Sequence, residues 1–214
     1  MVNVFQQILL NIILLVFPLI FNLFYYTYSN NVNKEQSKTF LDFALLSSLY
    51  LLITYNMIED NLSIMLLFNI PLIFAYIKKR SYIGIIISII LIYLYYSLDM
   101  NIFIFICEYL VYFIIYILTY KRKESLFLTL FFIFKSLFSI TIYFIYDEKF
   151  PIVDNLLMLV TFIVITYLII YMYNKGEDII KLHMSIKELE TDKQIRESLF
   201  KITHEIKNPI AVCK

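Results

Sequence analysis

A histidine followed by a glutamate lies near the end of the sequence, inside the run FKITHEIKNPI from Phe200 to Ile210. The imidazole of His204 is suited to chemistry, because one neutral ring nitrogen can attack an electrophile while the other nitrogen fixes the tautomer. Ile202 and Ile206 flank the histidine by two positions on either side. On a helix they therefore share an apolar face, and His204 is predicted to point away from it towards solvent.

The six residues from His204 to Pro209, HEIKNP, resemble the H-box of sensor histidine kinases. A lone histidine on a helix is more often structural, and we interpret His183 in that way, but the six-residue string is far more specific. The resemblance implies that His204 is the phosphoacceptor, that Glu205 takes its proton as the N–P bond forms, and that Pro209 bends the helix. Asn208 belongs to the same motif.

The resemblance carries further expectations about cofactors and partners. Such a kinase uses ATP and Mg²⁺ to phosphorylate itself, works as a homodimer and passes the phosphoryl group to an aspartate of a response regulator. The resemblance covers residues 200–214 only. No Gly-rich ATP lid or Asn-containing nucleotide box follows, and Gly84 and Gly176 are the only glycines, which excludes a P-loop. We therefore expect this chain to be an N-terminal fragment that is inactive alone.

The layout of apolar spans, helical linker and H-box is similar to sporulation kinase B and related sensor kinases of Gram-positive bacteria. Peptide-pheromone receptor kinases share a polytopic sensor, but their H-box has a His-Asp pair and no proline five residues on, so Glu205 and Pro209 argue against that branch. Two other interpretations remain. One is a truncated, non-catalytic homologue that dimerises with an intact kinase, and the other is a transporter, which predicts internal repeats that we do not find.

Two apolar stripes precede and include the H-box. Their members step by three and four residues, as in the seam of a two-stranded coiled coil: Ile179, Leu182, Ile186 and Leu189, then Ile195, Leu199, Ile202 and Ile206. The two stripes are out of phase, which predicts a local change of winding between them. Residues 175–197 are therefore predicted to form a cytoplasmic coiled-coil linker, and residues 198–214 the start of a dimerisation and phosphoacceptor domain.

The composition indicates a membrane protein, since 61% of the 214 residues are apolar and the mean hydropathy is +0.78, against roughly 45–50% apolar residues in soluble domains. The first apolar run lacks a basic region and a cleavage motif, so we interpret it as a retained span. Cys107 and Cys213 lie in different surroundings and are not expected to pair. We predict no metal site and no nucleic-acid partner.

The predicted fold is an all-α membrane bundle of about seven transmembrane helices. A span needs about 20 apolar residues to cross a core of roughly 30 Å. Seven runs in the sensor domain, residues 1–174, approach this length: 4–28, 41–58, 62–77, 82–98, 102–120, 126–146 and 156–173. The third run is short and contains Asn69 and Pro71, which predicts a kinked or re-entrant helix.

The basic residues predict the orientation, because Lys and Arg in short loops stay on the cytoplasmic side. Eight of them fall in alternate connections, against Lys149 alone in the opposite set: Lys34, Lys38, Lys78, Lys79, Arg80, Lys121, Arg122 and Lys123. This places the N-terminus outside the plasma membrane and the polar tail in the cytoplasm. No loop is long enough for an extracellular domain, so an unknown signal must be sensed within the membrane.

Two charged residues lie inside predicted spans, where each costs at least about 2.5–3.5 kcal/mol. Counting about 1.5 Å per residue places Glu108 about 9 Å and Lys135 about 16 Å from the outer end of their adjacent, antiparallel helices. Two long side chains can bridge this offset, so we predict an ion pair. The pair is either a site whose strength responds to a signal or an ordinary helix-packing contact, and a further alternative is that Lys135 extends its side chain to the membrane interface. Other polar residues in the spans are interpreted as interhelical hydrogen-bonders or interface residues: Asn11, Asn22, Asn69 and Asp42.

Overall fold

The computed structural model describes residues 4–28, 34–56, 62–145 and 152–212, which are helical apart from short turns and contain no strand. Within these ranges, seven α-helices and one 3₁₀ segment follow one another. They are α1 (Val4–Tyr28), α2 (Lys34–Asn56), the 3₁₀ segment Leu62–Phe68, α3 (Asn69–Ile77), α4 (Ser81–Ser97), α5 (Ile102–Thr119), α6 (Glu124–Ile145) and α7 (Ile152–Val212).

The bundle carries apolar side chains on its outside and polar ones within. Large apolar residues are exposed along α1, α4, α5, α6 and the first part of α7, and Phe103, for example, is 73% exposed. By contrast, the interior contains Asn11, Asn69, Glu108 and Lys135, none of them more than 2% exposed. Lipid solvates apolar side chains and leaves polar groups to satisfy one another, so this distribution suits a bundle surrounded by lipid.

Within the described ranges, five helical stretches are long and apolar enough to cross a membrane. They are Gln6–Tyr25, Lys38–Asn56, Ile102–Thr119, Glu124–Ile142 and the stretch Leu156–Thr203, whose apolar part is its beginning. Two shorter apolar helices, Met65–Ile77 and Ser81–Ser97, correspond to the third and fourth predicted spans. The all-helical fold with several long apolar helices is thus present, whereas seven membrane crossings remain a prediction.

The third predicted span is a broken helix. Residues 62–68 form a 3₁₀ segment, and the α-helical part begins at Asn69. Pro71 falls in the first turn of α3, the part of a helix where proline is tolerated. A 3₁₀ segment rises about 2.0 Å per residue and an α-helix about 1.5 Å, so the sixteen residues together extend about 27 Å.

Helix α3 lies at the centre of the bundle. All nine of its residues are buried, and it packs against α2, α4 and α6 as well as its own 3₁₀ segment. Since none of its residues is exposed, other helices cover α3 on every face. The outer helices therefore form a ring around α3, and any group that contacts α3 from one side is linked mechanically to the others.

Helix α7 is continuous for 61 residues, from the bundle through the predicted linker to the predicted phosphoacceptor segment. From Lys181 to Thr203 every residue is exposed, and so are seven of the eight residues in the two apolar stripes, such as Leu182 at 62% and Leu189 at 70%. The eighth, Ile206, has a side chain outside the described part. The helix is unbroken across the predicted change of winding.

Gly84 allows α4 to approach α3 closely. A Cβ atom at this position would lie within 2.9 Å of three ring carbons of Tyr76, and that ring is held in place by stacking on Tyr116 at 4.8 Å between centroids. Small residues at helix contacts are the usual means of close packing in membranes.

We therefore expect Gly84→Ala to destabilise the bundle by about 1–3 kcal/mol, the usual cost of overpacking, despite the better helix propensity of alanine. The thermal unfolding midpoint of the purified protein in lipid nanodiscs measures the change. Adding Tyr76→Leu removes the ring and should recover part of the loss. A midpoint for Gly84→Ala equal to that of the unchanged protein would contradict the close approach.

Candidate functional site

The structure brings Glu108 of α5 and Lys135 of α6 into contact. The Nζ atom of Lys135 lies 2.5 Å from Oε1 of Glu108, and the two side chains are 2% and 0% exposed. The offset in depth between them is bridged by the long lysine side chain. At this burial each charge depends on the other, because an isolated charge in a low-dielectric surrounding is far more costly than a neutral pair.

A tyrosine completes this group, which we call the Glu108 cluster: Glu108, Tyr112 and Lys135. The hydroxyl of Tyr112 donates to the same Oε1 atom at 2.5 Å, and its ring stacks on Phe131 at 4.2 Å between centroids. Within the described part of the chain, Oε2 of Glu108 is buried and has no hydrogen-bond partner. A buried acceptor without a donor is costly, so a donor placed beside this oxygen would be stabilising.

The Glu108 cluster connects to the central helix through the next tyrosine of α5. The hydroxyl of Tyr109 donates to Oδ1 of Asn69, the first residue of α3, at 3.2 Å. The amide of Asn69 in turn donates to the carbonyl of Leu66 at 3.2 Å, at the junction between the 3₁₀ segment and α3. The link between Tyr109 and the Glu108 cluster is a ring contact, since the Tyr109 ring packs edge-on against the Tyr112 ring with 5.8 Å between centroids. The contacts from the charge pair to the start of α3 thus run through Tyr112 and Tyr109.

A second polar group lies at the other end of α3. The helix ends in a Schellman motif, in which the N–H of Arg80 donates to the carbonyl of Ala75 and that of Lys79 to the carbonyl of Tyr76. Lys79 takes the left-handed position of this motif with φ of 58°. Glycine usually occupies that position, and a side chain there costs roughly 1–2 kcal/mol. The strained turn directs three successive cations towards three different helices.

Each of these cations has its own partner. Lys78 donates to Oδ1 of Asn174 and to Oε2 of Glu177 on α7, both at 2.8 Å. The ammonium group of Lys79 lies 5.2 Å from the centre of the Tyr120 ring, at the end of α5. Arg80 binds both carboxylate oxygens of Asp42 on α2, with Nε to Oδ1 at 2.7 Å.

These contacts gather the basic turns at one end of the bundle. The turn 78–80, the end of α5 at Tyr120 and the exit of α7 at Asn174 all meet there. In the sequence these lysines and arginines were interpreted only as markers of orientation, and Asp42 only as an interface residue. The sequence shows only the number and spacing of these basic residues. It does not show which helix each side chain contacts.

We call Lys78, Tyr173, Asn174 and Glu177 the Lys78 cluster. Burial raises the pKa of Glu177, but hydrogen bonds and charges from Lys78 and then Lys181 outweigh it, so the pKa of Glu177 lies below its usual value. The stabilisation from this carboxylate is therefore present at pH above its ordinary pKa, and it is lost as pH falls through the lowered value. At neutral pH the carboxylate of Glu177 is therefore ionised.

The remaining interior polar residues join α1 to its neighbours. Asn11 and Asn56 exchange side-chain hydrogen bonds at 3.2 and 2.6 Å and so link α1 to α2. The hydroxyl of Tyr173 donates to Oδ1 of Asn22 at 2.6 Å and links α7 to α1. These are interhelical hydrogen bonds of the kind expected for the asparagines.

The predicted phosphoacceptor residues all lie on α7. Its helical backbone continues through His204, Glu205 and Asn208 and past Pro209 to Val212. The side chains of these four residues lie outside the described part, so the outward direction of the imidazole stays a prediction. They are far along the chain from the Glu108 cluster, and α7 is the element that joins the two regions.

The described part of the chain contains no group of three or more His, Cys, Asp or Glu side chains arranged to hold a metal ion. Cys107 is a free, exposed cysteine, and Cys213 lies outside the described residues. No family model, curated protein or solved structure matches this chain.

The Glu108–Lys135 pair generates a direct test. Glu108→Gln and Lys135→Met each leave one buried charge alone, and each should destabilise the protein by about 3–5 kcal/mol. The double variant removes both charges and should recover most of that loss. The measurement is the unfolding midpoint in nanodiscs.

Lys123→Met removes a positive charge from the exposed turn between α5 and α6 and serves as the control, with no expected change. Additive effects of the Glu108 and Lys135 substitutions would show that the two charges do not interact.

Proposed function

We propose that this chain is the membrane sensor part of a sensor histidine kinase, with His204 as the phosphoacceptor. The observation that carries the proposal is the string HEIKNP from His204 to Pro209, together with its place on a helix that extends without a break from the apolar bundle. A bundle that ends in a long exposed helix is suited to send a conformational change away from the membrane.

In the proposed reaction, a neutral nitrogen of His204 attacks the γ-phosphorus of ATP. The N–P bond forms as the bond to the leaving ADP oxygen breaks, and the proton on the other nitrogen passes to Glu205. Mg²⁺ neutralises charge on the phosphates. The nucleotide is held by an ATP-binding domain outside these 214 residues. The phosphoryl group then moves to an aspartate of a response regulator.

We further propose that the protein is a homodimer through α7. An exposed helix with an apolar stripe gains stability when a second copy covers the stripe, and Ile179, Leu189 and Leu199 are 66%, 70% and 58% exposed in the single chain. Steps of three and four residues match the seam of a two-stranded coil. A dimer places the two phosphoacceptor segments side by side.

The proposed location is the bacterial plasma membrane, with the N-terminus outside and α7 leaving into the cytoplasm. Support comes from the basic turns, which gather at the end of the bundle where α7 emerges, as the positive-inside rule requires. The Glu108 cluster then lies in the outer half of the bundle. Its buried charge pair is the proposed site of signal detection. Removing or adding one polar partner there would change the free energy of the bundle by a large amount, because a buried charge is costly.

Cysteine labelling tests the orientation. In a background with Cys107→Ser and Cys213→Ser, a cysteine at Arg122 should be protected from a membrane-impermeant maleimide in intact cells, because the turn is cytoplasmic. A cysteine at Asp99, in the exposed turn between α4 and α5, should be labelled. The reverse pattern would overturn the proposed topology.

Phosphorylation tests the central claim. The 214-residue chain should stay unlabelled by γ-³²P-ATP, while the protein extended through its natural reading frame should be labelled. His204→Gln should abolish the label in the extended protein, and Glu205→Gln should slow labelling by about 10²–10⁴-fold, as expected for a lost general base.

His183→Gln is the matched control and should leave labelling unchanged. Labelling that survives His204→Gln but not His183→Gln would refute the assignment. An open frame with no ATP-binding domain would instead indicate a non-catalytic homologue.

A further inference from the structure

Helix α3 contacts both polar clusters, one at each end. Its first residue, Asn69, accepts the hydrogen bond from Tyr109, which is the neighbour of Glu108. Its C-cap residue, Lys78, binds Asn174 and Glu177 of α7. The two clusters are otherwise separated by the length of α3, nine residues or about 13 Å.

The Lys78 cluster holds α7 where it leaves the bundle. The lysine ammonium lies 4.8 Å from the centre of the Tyr173 ring, and that ring packs edge-on against Phe74 of α3, also at 4.8 Å. On the opposite side Gly176 contacts α1, because a Cβ atom there would lie 2.8 Å from Leu23. Residues 173–177 are thus fixed between α1 and the end of α3.

Beyond this point α7 leaves the bundle. Every residue from Lys181 to Thr203 is exposed, and the first ion pair past the cluster is within the helix, from Lys181 to Glu177 at 3.0 Å. Glu177 thus has two cationic partners, Lys78 on one carboxylate oxygen and Lys181 on the other. Loss of the contact with Lys78 would leave the contact with Lys181 in place, which limits the cost of releasing α7.

We propose that α3 is the transmitting element of the sensor: a change at the Glu108 cluster displaces α3 through Tyr109 and Asn69, and Lys78 passes the displacement to α7 by holding or releasing Glu177. The inference rests on the proposed sensor function and deepens it by naming the route. The route is a physical connection of packed and hydrogen-bonded groups.

The structure of α3 suits this role. The helix is buried along its whole length, and close-packed interiors move as units more readily than they deform. Its N-terminal end joins a 3₁₀ segment, a feature that often marks a hinge. Its C-terminal end is stiff, because the Schellman turn and the bond from Arg80 to Asp42 fix the backbone around Lys78.

A distance measurement on the 214-residue chain tests the route without nucleotide. Spin labels at cysteines replacing Asp178 on α7 and Arg122 on the α5–α6 turn, with Cys107→Ser and Cys213→Ser, report the position of α7 against the bundle. Labelled protein in nanodiscs is diluted with unlabelled protein, so that only distances within one chain are seen. The otherwise unchanged protein should give one narrow distance distribution.

Lys78→Met should broaden that distribution or shift its peak. Lys79→Met removes the same charge from the neighbouring position and should leave the narrow peak, since the Lys79 ammonium group lies over the Tyr120 ring at the end of α5. The charge exchange Lys78→Glu with Glu177→Lys should restore the narrow peak. An unchanged peak in Lys78→Met would overturn the claim that Lys78 positions α7.

Tyr109→Phe tests the other end of α3, because it removes one hydroxyl and preserves the ring. We expect it to broaden the distribution as well, and to add nothing when Lys78→Met is already present. A Tyr109→Phe variant identical to the unchanged protein, or independent additive effects, would refute transmission through α3. None of these distance measurements depends on phosphorylation of His204. Failure of the route through α3 and failure of the kinase proposal are therefore separate results.

Discussion

A charge buried in an apolar bundle needs its counter-charge, and the contact between Lys135 and Glu108 meets that need between α5 and α6. Much of the interior is arranged around this pair. Tyr112 supplies a further donor to the same carboxylate oxygen, Phe131 packs over the Tyr112 ring, and Tyr109 extends the polar contacts to α3. Aromatic rings with hydroxyl groups suit this position, because they fill apolar volume and still offer a donor.

The complete burial of α3 follows from the same constraint. The helices that surround a buried polar group must keep lipid away from it. A short apolar helix in the middle fills the space that these helices enclose. The largely apolar sequence of α3 is also what a lipid-exposed span would have. The position of α3 is decided by what covers it, and that is a property of the whole bundle.

Much of this arrangement was readable from the sequence, for identifiable reasons. The bounds of α1 match the predicted run 4–28, because an apolar run of that length has no stable alternative in lipid. The contact between Glu108 and Lys135 followed from counting residues along two adjacent helices. The sequence alone did not show that α7 is one continuous helix. The composition changes sharply at Asn174, while the backbone remains helical. The partners of Lys78 and Arg80 could not be predicted either, because they depend on which helices meet at the end of α3.

The unbroken helix from the bundle to His204 has a consequence for how the protein can vary in length. A rigid helix transmits rotation as well as displacement, so the angular position of His204 is set by the number of residues between it and Glu177. Inserting one residue would turn everything beyond it by about 100°. Insertions of seven residues preserve the phase of a two-stranded coil, so working relatives are expected to differ in this stretch by whole heptads.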